Sequence, residues 1–205
     1  MKKTIVLTLS IYFMVWSGSA IAAVIFADDF NSEHGGTGQG NYYDFANWTV
    51  SDGSVDLLGG TYYPQYTYEG LSVDLDGSTY NAGVMTSKEI GVETGCTYLF
   101  SFNISGNMRY GTDTVSVKVT NSDYNENFLL NYDEDWQQIT RLVTITSGTT
   151  AQIIFDNAGG DNKGALLDNV SFSTTPVPIP PTVLLMGPGI LGLLSLRFKK
   201  RRAHA

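Results

Sequence analysis

Period-two alternation of apolar and polar residues is the feature that most constrains the fold of this chain. From Tyr98 to Ser105 and from Val115 to Thr120, every second residue is apolar and the residues between are mostly polar. Successive side chains of a β-strand point to opposite faces, so this period is typical of strands with one buried face. The region 23–175 contains no sustained apolar stripe with a 3.6-residue period. The sequence therefore predicts a domain built mainly of strands.

Further short apolar runs are separated by turn-forming clusters such as Ser51-Asp52-Gly53-Ser54, at intervals of roughly ten residues. The additional predicted strands are Val24 to Phe26, Trp48 to Val50, Val55 to Leu58, Leu71 to Leu75, Gly83 to Ser87, Phe128 to Leu130, Gln138 to Thr146, Ala151 to Phe155 and Leu166 to Ser173. Many short strands at this spacing favour two packed antiparallel sheets. We predict an all-β fold, an antiparallel β-sandwich of the jelly-roll type.

The first 22 residues are typical of a secretory signal peptide. Lys2 and Lys3 precede an uncharged, mostly apolar run from Thr4 to Trp16, and Ala20-Ile21-Ala22 provides a cleavage site. As a helix, that run would extend about 20 Å, which is too short for a hydrocarbon core of roughly 30 Å. We therefore expect cleavage after Ala22 and an exported domain of residues 23–175.

The C-terminal segment, residues 176–205, has three parts with different physical properties. Prolines between Pro176 and Pro181 favour an extended stem, and the uncharged run from Thr182 to Leu196 predicts a short transmembrane helix. A basic tail follows, and its charged residues are Arg197, Lys199, Lys200, Arg201 and Arg202. By the positive-inside rule this tail stays in the cytoplasm and the domain lies outside. A buried terminal strand or helix is the alternative, although core elements rarely run directly into five basic residues.

The predicted exported domain is strongly acidic. All twenty acidic residues lie between Asp28 and Asp168, together with five basic residues, which gives this stretch a formal charge of −15. Such a domain repels nucleic acids and anionic lipid head groups and attracts divalent cations. Nucleic-acid binding is therefore excluded.

The residue types that most enzymes need are scarce in this domain. His34 is its only histidine, no Gly-x-Ser-x-Gly motif occurs, and the single cysteine, Cys96, permits no intrachain disulfide and is expected to be a buried thiol. Hydrolysis of glycosides requires only two suitably spaced carboxylates, which an acidic domain can supply. We expect a noncatalytic protein and keep a small glycoside hydrolase as an alternative.

The order of features at the C-terminus resembles the PEP-CTERM sorting signal of Gram-negative bacteria. The matching residues are Val177-Pro178-Ile179-Pro180, the apolar run from Leu185 to Leu194, and the basic tail. The resemblance implies an exosortase as partner, a membrane-bound transpeptidase that cleaves near the prolines. It also implies tethering at the inner membrane, followed by transfer to the cell surface or extracellular matrix. Ile179 differs from the motif that gives the family its name, which has Glu at this position. Variants of the form Val-Pro-x-Pro also belong to the family, however.

The exported domain resembles the β-sandwich domains that many such surface proteins carry, which are similar to carbohydrate-binding jelly rolls. The sequence segments that carry this resemblance are Phe26 to Asn31, Asn47 to Val50, Val73 to Ser78 and Gly159 to Val170. This resemblance implies binding to exopolysaccharide or another glycan. The alternative of a different class is a structural or adhesive surface protein that acts through calcium.

A calcium site is predicted around Asp168, which shares strand parity with Leu166, Val170 and Phe172 and should therefore face inward. A buried carboxylate needs a partner. Oxygens at the exit of the first strand, from Asp28, Asp29 and Asn31, would hold a calcium ion with it, and the jelly rolls that the domain resembles often carry such an ion. The alternative is a carboxylate that caps backbone amides.

Two further acidic residues, Asp74 and Asp76, do not fit an EF-hand loop, because Thr79 and Met85 stand where that loop requires Gly and Glu. We expect Asp74 and Asp76 to lie on a solvated face and in a turn.

Four tyrosines surround Pro64 in a predicted loop, at Tyr62, Tyr63, Tyr66 and Tyr68. If exposed, these rings would stack on sugar faces while their hydroxyls form hydrogen bonds. The alternative is that they fold back onto the edge of the core. Trp48 and Trp136 each stand at the start of a predicted strand, and we interpret both as core residues.

Overall fold

The computed structural model describes residues 22–175, and strands dominate this part of the chain. The strands are β1 (Val24–Asp28), β2 (Gln39–Tyr42), β3 (Trp48–Ser51), β4 (Val55–Leu58), β5 (Ser72–Asp74), β6 (Val84–Ser87), β7 (Ile90–Gly91), β8 (Thr97–Ser105), β9 (Thr112–Val119), β10 (Asn125–Asn131), β11 (Gln137–Thr144), β12 (Thr150–Ala151), β13 (Ile153–Asn157) and β14 (Leu166–Thr174). Two short 3₁₀ helices span Glu33–Gly36 and Pro64–Tyr66. The signal-peptide run, the predicted membrane helix 182–196 and the sorting motif lie outside the described residues.

Two antiparallel sheets form the body of the domain. The larger sheet has the order β11-β8-β14-β5-β4-β2, with β1 paired to β14, and the smaller sheet has the order β10-β9-β13-β6-β3. A separate pair joins β12 and β7. These pairings confirm the predicted all-β, antiparallel fold. Between residues 22 and 175 we find no helix with the length and apolar character needed to cross a bilayer.

The core lies between the two sheets and is rich in aromatic residues. Phe100 and Phe102 on β8 of the larger sheet pack against Phe155 on β13 of the smaller sheet, with ring centroids 6.4 and 5.2 Å apart. Trp48 on β3 meets Phe26 on β1 edge to face at 5.5 Å. All five side chains are at most 4% exposed. Burial of such large apolar groups is the main stabilising contribution in a domain that has no disulfide.

The outer face of the larger sheet is also buried over about half of its width. Strands β4 and β5 are buried at every position, on both faces. The segment from Gly59 to Leu71, which we call the covering loop, lies over this face: the Glu69 amide and the Tyr62 hydroxyl donate to the outward-facing carboxylates of Asp168 and Asp56. The face therefore forms a second, polar interior.

A β-bulge in β14 turns Asp168 away from the core. Phe172 pairs with Phe100, whereas Leu167 pairs with Ile104, and the register shifts between Asp168 and Ser171. Asn169 within the bulge has a positive φ of 49°, and an extra residue of this kind reverses the side-chain alternation beyond it. Asp168 is fully buried, but it lies on the outer face under the covering loop. The predicted inward orientation is wrong for this reason.

Two other predictions of burial fail. Trp136 precedes β11 and packs against Tyr68 of the covering loop, with ring centroids 5.4 Å apart, outside the core. Cys96 lies in the turn before β8, where its thiol is exposed. Both residues immediately precede a strand. The alternation within the strand does not determine whether the side chain before it faces the core or the solvent.

Candidate functional site

An open groove of about 460 Å³ lies on the uncovered part of the larger sheet's outer face. We call it the outer groove. It runs across β1, β14 and β8, because Ser171 pairs with Ala27 on one side and with Ser101 on the other. It also reaches β11, which contributes Gln138. The polar residues that line it include Asp29, Ser32, Ser101, Gln138, Asn169 and Ser171. Among the described residues, those that line the groove include two aspartates and no basic side chain.

Asp28 lines one end of the groove, but its carboxylate is committed to hydrogen bonds. One oxygen accepts from the Phe30 amide at 2.9 Å, and the other accepts from the Asn47 amide group and the Trp48 indole, each at 3.0 Å. Asp28 is 7% exposed. This arrangement joins β1 to β3 and satisfies a buried indole N–H, which gives Asp28 a structural role.

Asp168, Asp29 and Asn31 lie in one region between the groove and the covering loop. Asp168 accepts hydrogen bonds from the Ser72 hydroxyl at 2.9 Å and from the amide of Asn169 at 2.6 Å. Asn31 accepts the Leu71 amide at 2.7 Å. The pKa of Asp168 is raised to about 7, mainly by burial and to a smaller extent by the charge of Asp29, while its hydrogen bonds act in the opposite direction. The carboxylate therefore has hydrogen-bond donors but no cationic neighbour that lowers its pKa.

The calcium site predicted at these residues remains a prediction. Across residues 22–175, no three side chains of the His, Cys, Asp or Glu type converge closely enough to hold a metal ion. An ion near Asp168 would depend on amide and backbone oxygens as well, which calcium accepts. The hydrogen bonds of Asp168 match the alternative of a carboxylate that caps backbone amides.

The four tyrosines of the covering loop are divided among three environments. Tyr62 is half-buried, and its hydroxyl donates to Asp56 at 3.2 Å. Tyr63 and Tyr66 stack at 6.0 Å, and Tyr66 also lies under the Arg109 guanidinium at 5.7 Å. Tyr68, 45% exposed, packs on Trp136. The loop thus folds back at Tyr62 and presents its other rings in two separate places.

The Tyr68 and Trp136 pair lies next to the outer groove. Trp136 is two residues before Gln138, which lines the groove and pairs with Asn103, and Asn103 pairs with Asp168. The amide of Glu69, the residue after Tyr68, approaches Asp168 at 3.5 Å. Sequence reasoning missed Trp136 as a surface aromatic residue, because it was assigned to the core.

A second polar site, which we call the acid cluster, lies at one end of the sandwich and consists of Asp74, Asp76, Asp113 and Asp161. Asp74, Asp76 and Asp113 are 1%, 0% and 4% exposed. The prediction that Asp74 lies on a solvated face is therefore wrong, and Asp76 lies in a bend after β5, as predicted, but is buried there. The glycine-rich connection between β13 and β14 packs over both residues, since Gly160 and Gly164 donate their amides to Asp76 and Asp74.

Arg109 is the main cation at the acid cluster. Its guanidinium forms a salt bridge with Asp74 and donates to the Asn162 carbonyl at 3.1 Å. Burial raises the pKa of Asp74 to about 7, while Arg109 acts in the opposite direction. Lys163 lies over the Tyr110 ring at 4.1 Å. Arg109 and Asp113 were not singled out from the sequence, because their role depends on loops that meet only in the folded chain.

Comparison with known proteins identifies structures with a similar fold but does not assign the chain to a family. No protein-family model matches the chain. Over 151 residues the chain is 32% identical to halomucin of Haloquadratum walsbyi, an alignment that covers 69% of this chain and 2% of that protein. The chain thus spans a small fraction of the length of this curated relative.

Several solved structures resemble the domain. The K3 cleaved adhesin domain of Lys-gingipain from Porphyromonas gingivalis aligns with a TM-score of 0.51 and 13% identity, over 75% of this chain and 99% of that one. The CBM22-1 xylan-binding domain from Paenibacillus barcinonensis aligns with a TM-score of 0.47 and 11% identity, over 78% and 99% of the two chains. The chain therefore shares the fold of the adhesin domain.

Proposed function

We propose that this protein is an exported, noncatalytic glycan-binding protein whose ligand lies in the outer groove. The observation that carries the proposal is the groove itself, with its hydroxyl and amide side chains beside the exposed Tyr68 and the half-buried Trp136. Sugars present hydroxyl groups at their edges and C–H groups on their faces. A surface that combines short polar side chains with flat aromatic rings is complementary to both.

The charge of the groove favours uncharged glycans. Asp29 is exposed at its edge, and the domain around it carries a formal charge of −15. Uronic acid or sulfate groups would be repelled by this field, particularly at low ionic strength. We therefore propose a neutral exopolysaccharide as the ligand class.

Binding to soluble neutral polysaccharides, measured by isothermal titration calorimetry and affinity electrophoresis, tests the proposal. Trp136→Ala is expected to weaken binding by about tenfold or more, since loss of one aromatic contact in a binding site costs roughly 1–3 kcal/mol. Gln138→Ala should weaken binding by about two- to tenfold, since a hydrogen bond contributes roughly 0.5–1.5 kcal/mol. Tyr80→Ala is the matched control, because Tyr80 is 65% exposed on the connection between β5 and β6. Equal binding by all variants would overturn the assignment of the groove.

The same binding experiment shows which of the four tyrosines predicted to bind sugar contribute to glycan binding. Tyr68→Ala should weaken binding with Trp136→Ala, whereas Tyr63→Ala and Tyr66→Ala should have little effect if the groove alone holds the glycan. Tyr62→Ala would act through stability, because its hydroxyl bonds to buried Asp56. Self-association that requires calcium, without glycan binding, would favour the structural or adhesive alternative. Release of sugar from extracellular polysaccharide would favour the hydrolase.

We also propose that the chain reaches the cell surface through its C-terminal signal. The support is the sequence pattern of Val177-Pro178-Ile179-Pro180, the apolar run 182–196 and the basic tail, which resembles an exosortase substrate. Replacement of the tail residues Arg197, Lys199, Lys200, Arg201 and Arg202 by Ala should abolish surface delivery. Cell fractionation measures this, and recovery of the intact, uncleaved chain in the cytosol would contradict the proposal.

A further inference from the structure

The acid cluster carries more negative charge than its cationic neighbours neutralise. Arg109 pairs with Asp74, and the Lys163 ammonium lies 3.8 Å from a carboxylate oxygen of Asp161. Asp76 and Asp113 remain, and each is more than nine-tenths buried. Buried carboxylates are stable only when they are paired with a positive charge, protonated or fully hydrogen-bonded.

Asp76 does not have a full set of hydrogen bonds. Its Oδ2 accepts the backbone amide of Gly160 at 2.9 Å and that of Asp161 at 3.4 Å. Its Oδ1 is buried and has no partner among the described residues. An unpartnered carboxylate oxygen inside a protein is rare and costs free energy unless an ion or a water molecule occupies the space beside it.

Asp113 presents a second incompletely neutralised carboxylate to the same region. Its Oδ2 accepts the side-chain amide of Asn107 at 2.9 Å. The pKa of Asp113 is raised to about 6, mainly by burial; the charges of Asp161 and Asp76 act in the same direction, while the Asn107 hydrogen bond and Arg109 act in the opposite direction. Asp76 and Asp113 therefore lie close enough for the charge of one to act on the other.

The connection between β13 and β14 is built to bring backbone close to Asp76. A Cβ at Gly159 would collide with the Asp76 carboxylate, so only glycine permits this approach. The nearby Asn157 side chain is 4% exposed, and its Nδ2 is also buried without a partner among residues 22–175. Asp76 Oδ1 is an acceptor and would contact a cation directly, whereas Asn157 Nδ2 is a donor and would contact a water molecule.

We propose that a calcium ion binds between Asp76 Oδ1 and the Asp113 carboxylate. Two carboxylates balance the charge of one divalent cation, and calcium takes its remaining ligands from backbone oxygens and water. Asp76 follows β5 of the larger sheet and Asp113 lies on β9 of the smaller sheet, so the ion ties the two sheets together. This site shares no residue with the outer groove or with Asp168 and its neighbours.

Calcium binding to the full chain, freed of metal with EDTA, tests the proposal. We expect calcium, titrated to about 10 mM to cover the range of weak extracellular sites, to raise the melting temperature. Terbium luminescence excited through tyrosine should report the same site, since Tyr66 and Tyr110 lie over Arg109 and Lys163. Asp76→Asn and Asp113→Asn should each weaken binding by about tenfold or more, because a hard cation loses a charged ligand.

Asp56→Asn is the matched control, because Asp56 is a buried aspartate under the covering loop, away from both predicted calcium sites. It should leave the affinity of the Asp76 and Asp113 site for calcium unchanged. Asp113→Asn retains an acceptor for Asn107, so it keeps the test decisive even if Asp76→Asn does not fold. Absence of calcium binding by the wild-type chain, or equal loss of binding in Asp56→Asn, would overturn the proposal. So would wild-type affinity in both Asp76→Asn and Asp113→Asn.

Discussion

The carboxylate of Asp28 accepts the indole N–H of Trp48 at 3.0 Å, and this bond joins β1 of the larger sheet to β3 of the smaller sheet. Both residues are buried, at 7% and 4% exposure. The same carboxylate also holds the chain after β1, through the amide of Phe30. One side chain therefore attaches the first strand, which pairs with β14 in the larger sheet, to the smaller sheet as well.

Replacement of Asp28 by Ala should destabilise the domain by about 2–4 kcal/mol, because it leaves a buried indole N–H and a buried amide without acceptors. Denaturant unfolding followed by tryptophan fluorescence measures the change. Asp29→Ala is the control, since Asp29 is exposed and, within the described part of the chain, accepts only the Asn31 amide, at 3.1 Å. Equal losses in the two variants would contradict the assigned role of Asp28.

The ion pair between Arg109 and buried Asp74 leads to a second prediction. Arg109→Ala leaves the Asp74 carboxylate buried without its cation, so the domain should lose about 3 kcal/mol or more at pH 8. The double variant Arg109→Ala with Asp74→Asn should recover much of this loss, because no charge is then buried. Thermal unfolding of the wild type, both single variants and the double variant measures the coupling. Additive losses would show that the pair contributes nothing specific.

The pKa values of three buried aspartates predict how stability depends on pH. Burial raises the pKa to about 7 for Asp74 and Asp168 and to about 6 for Asp113, from an ordinary value near 4. Below about pH 4 these groups are protonated in both states, and between pH 4 and 7 the folded state retains protons that the unfolded state releases. Stability should therefore fall as the pH rises through this window.

In EDTA, the melting temperature should be lower at pH 8 than at pH 5 by about 5 °C or more. One pKa unit corresponds to about 1.4 kcal/mol, and 1 kcal/mol to about 2–4 °C for a domain of this size. Asp168→Asn should reduce the difference, since it removes one of the three groups. A melting temperature that rises between pH 5 and pH 8 in EDTA would contradict the prediction.

Calcium at Asp168 is tested separately. If an ion is held by Asp28, Asp29, Asn31 and Asp168, added calcium should raise the melting temperature, and Asp168→Ala should abolish that part of the rise. A bound cation favours the ionised carboxylate, so the fall in stability between pH 5 and pH 8 should be smaller in calcium than in EDTA. A wild-type calcium response that Asp168→Ala leaves intact would remove the ion from this site.

Most strands were predictable because their alternation is a local property of the sequence. The predicted strand Val55 to Leu58 coincides with β4, and most of the other predicted strands overlap observed strands within a few residues. Strands β2 and β7 were missed, because Gln39–Tyr42 has no apolar alternation and Ile90–Gly91 has only two residues. Such short strands form through hydrogen bonds to a neighbouring strand from elsewhere in the chain. The local sequence pattern contains no information about that pairing.

The candidate sites were less predictable, because they depend on contacts between distant segments. Period two predicts the face of Asp168 only while the strand is regular, and the bulge at Asn169 reverses it. Asp74 and Asp76 have the composition of an exposed turn, yet the connection between β13 and β14 covers them. The tyrosines of the covering loop were recognised by type, but their division among three environments follows from how the loop lies on the sheet.

If the proposed glycan lies in the outer groove, the covering loop also limits the length of polymer that the sheet can accommodate. With Gly59 to Leu71 occupying the half above β4 and β5, a linear chain lying across the strands meets a barrier before it reaches the far edge. Its footprint is then confined to a few sugar units, and the remainder of the molecule is left free. Because each copy of the protein would bind only a few sugar units, several copies could bind the same polysaccharide molecule at successive positions.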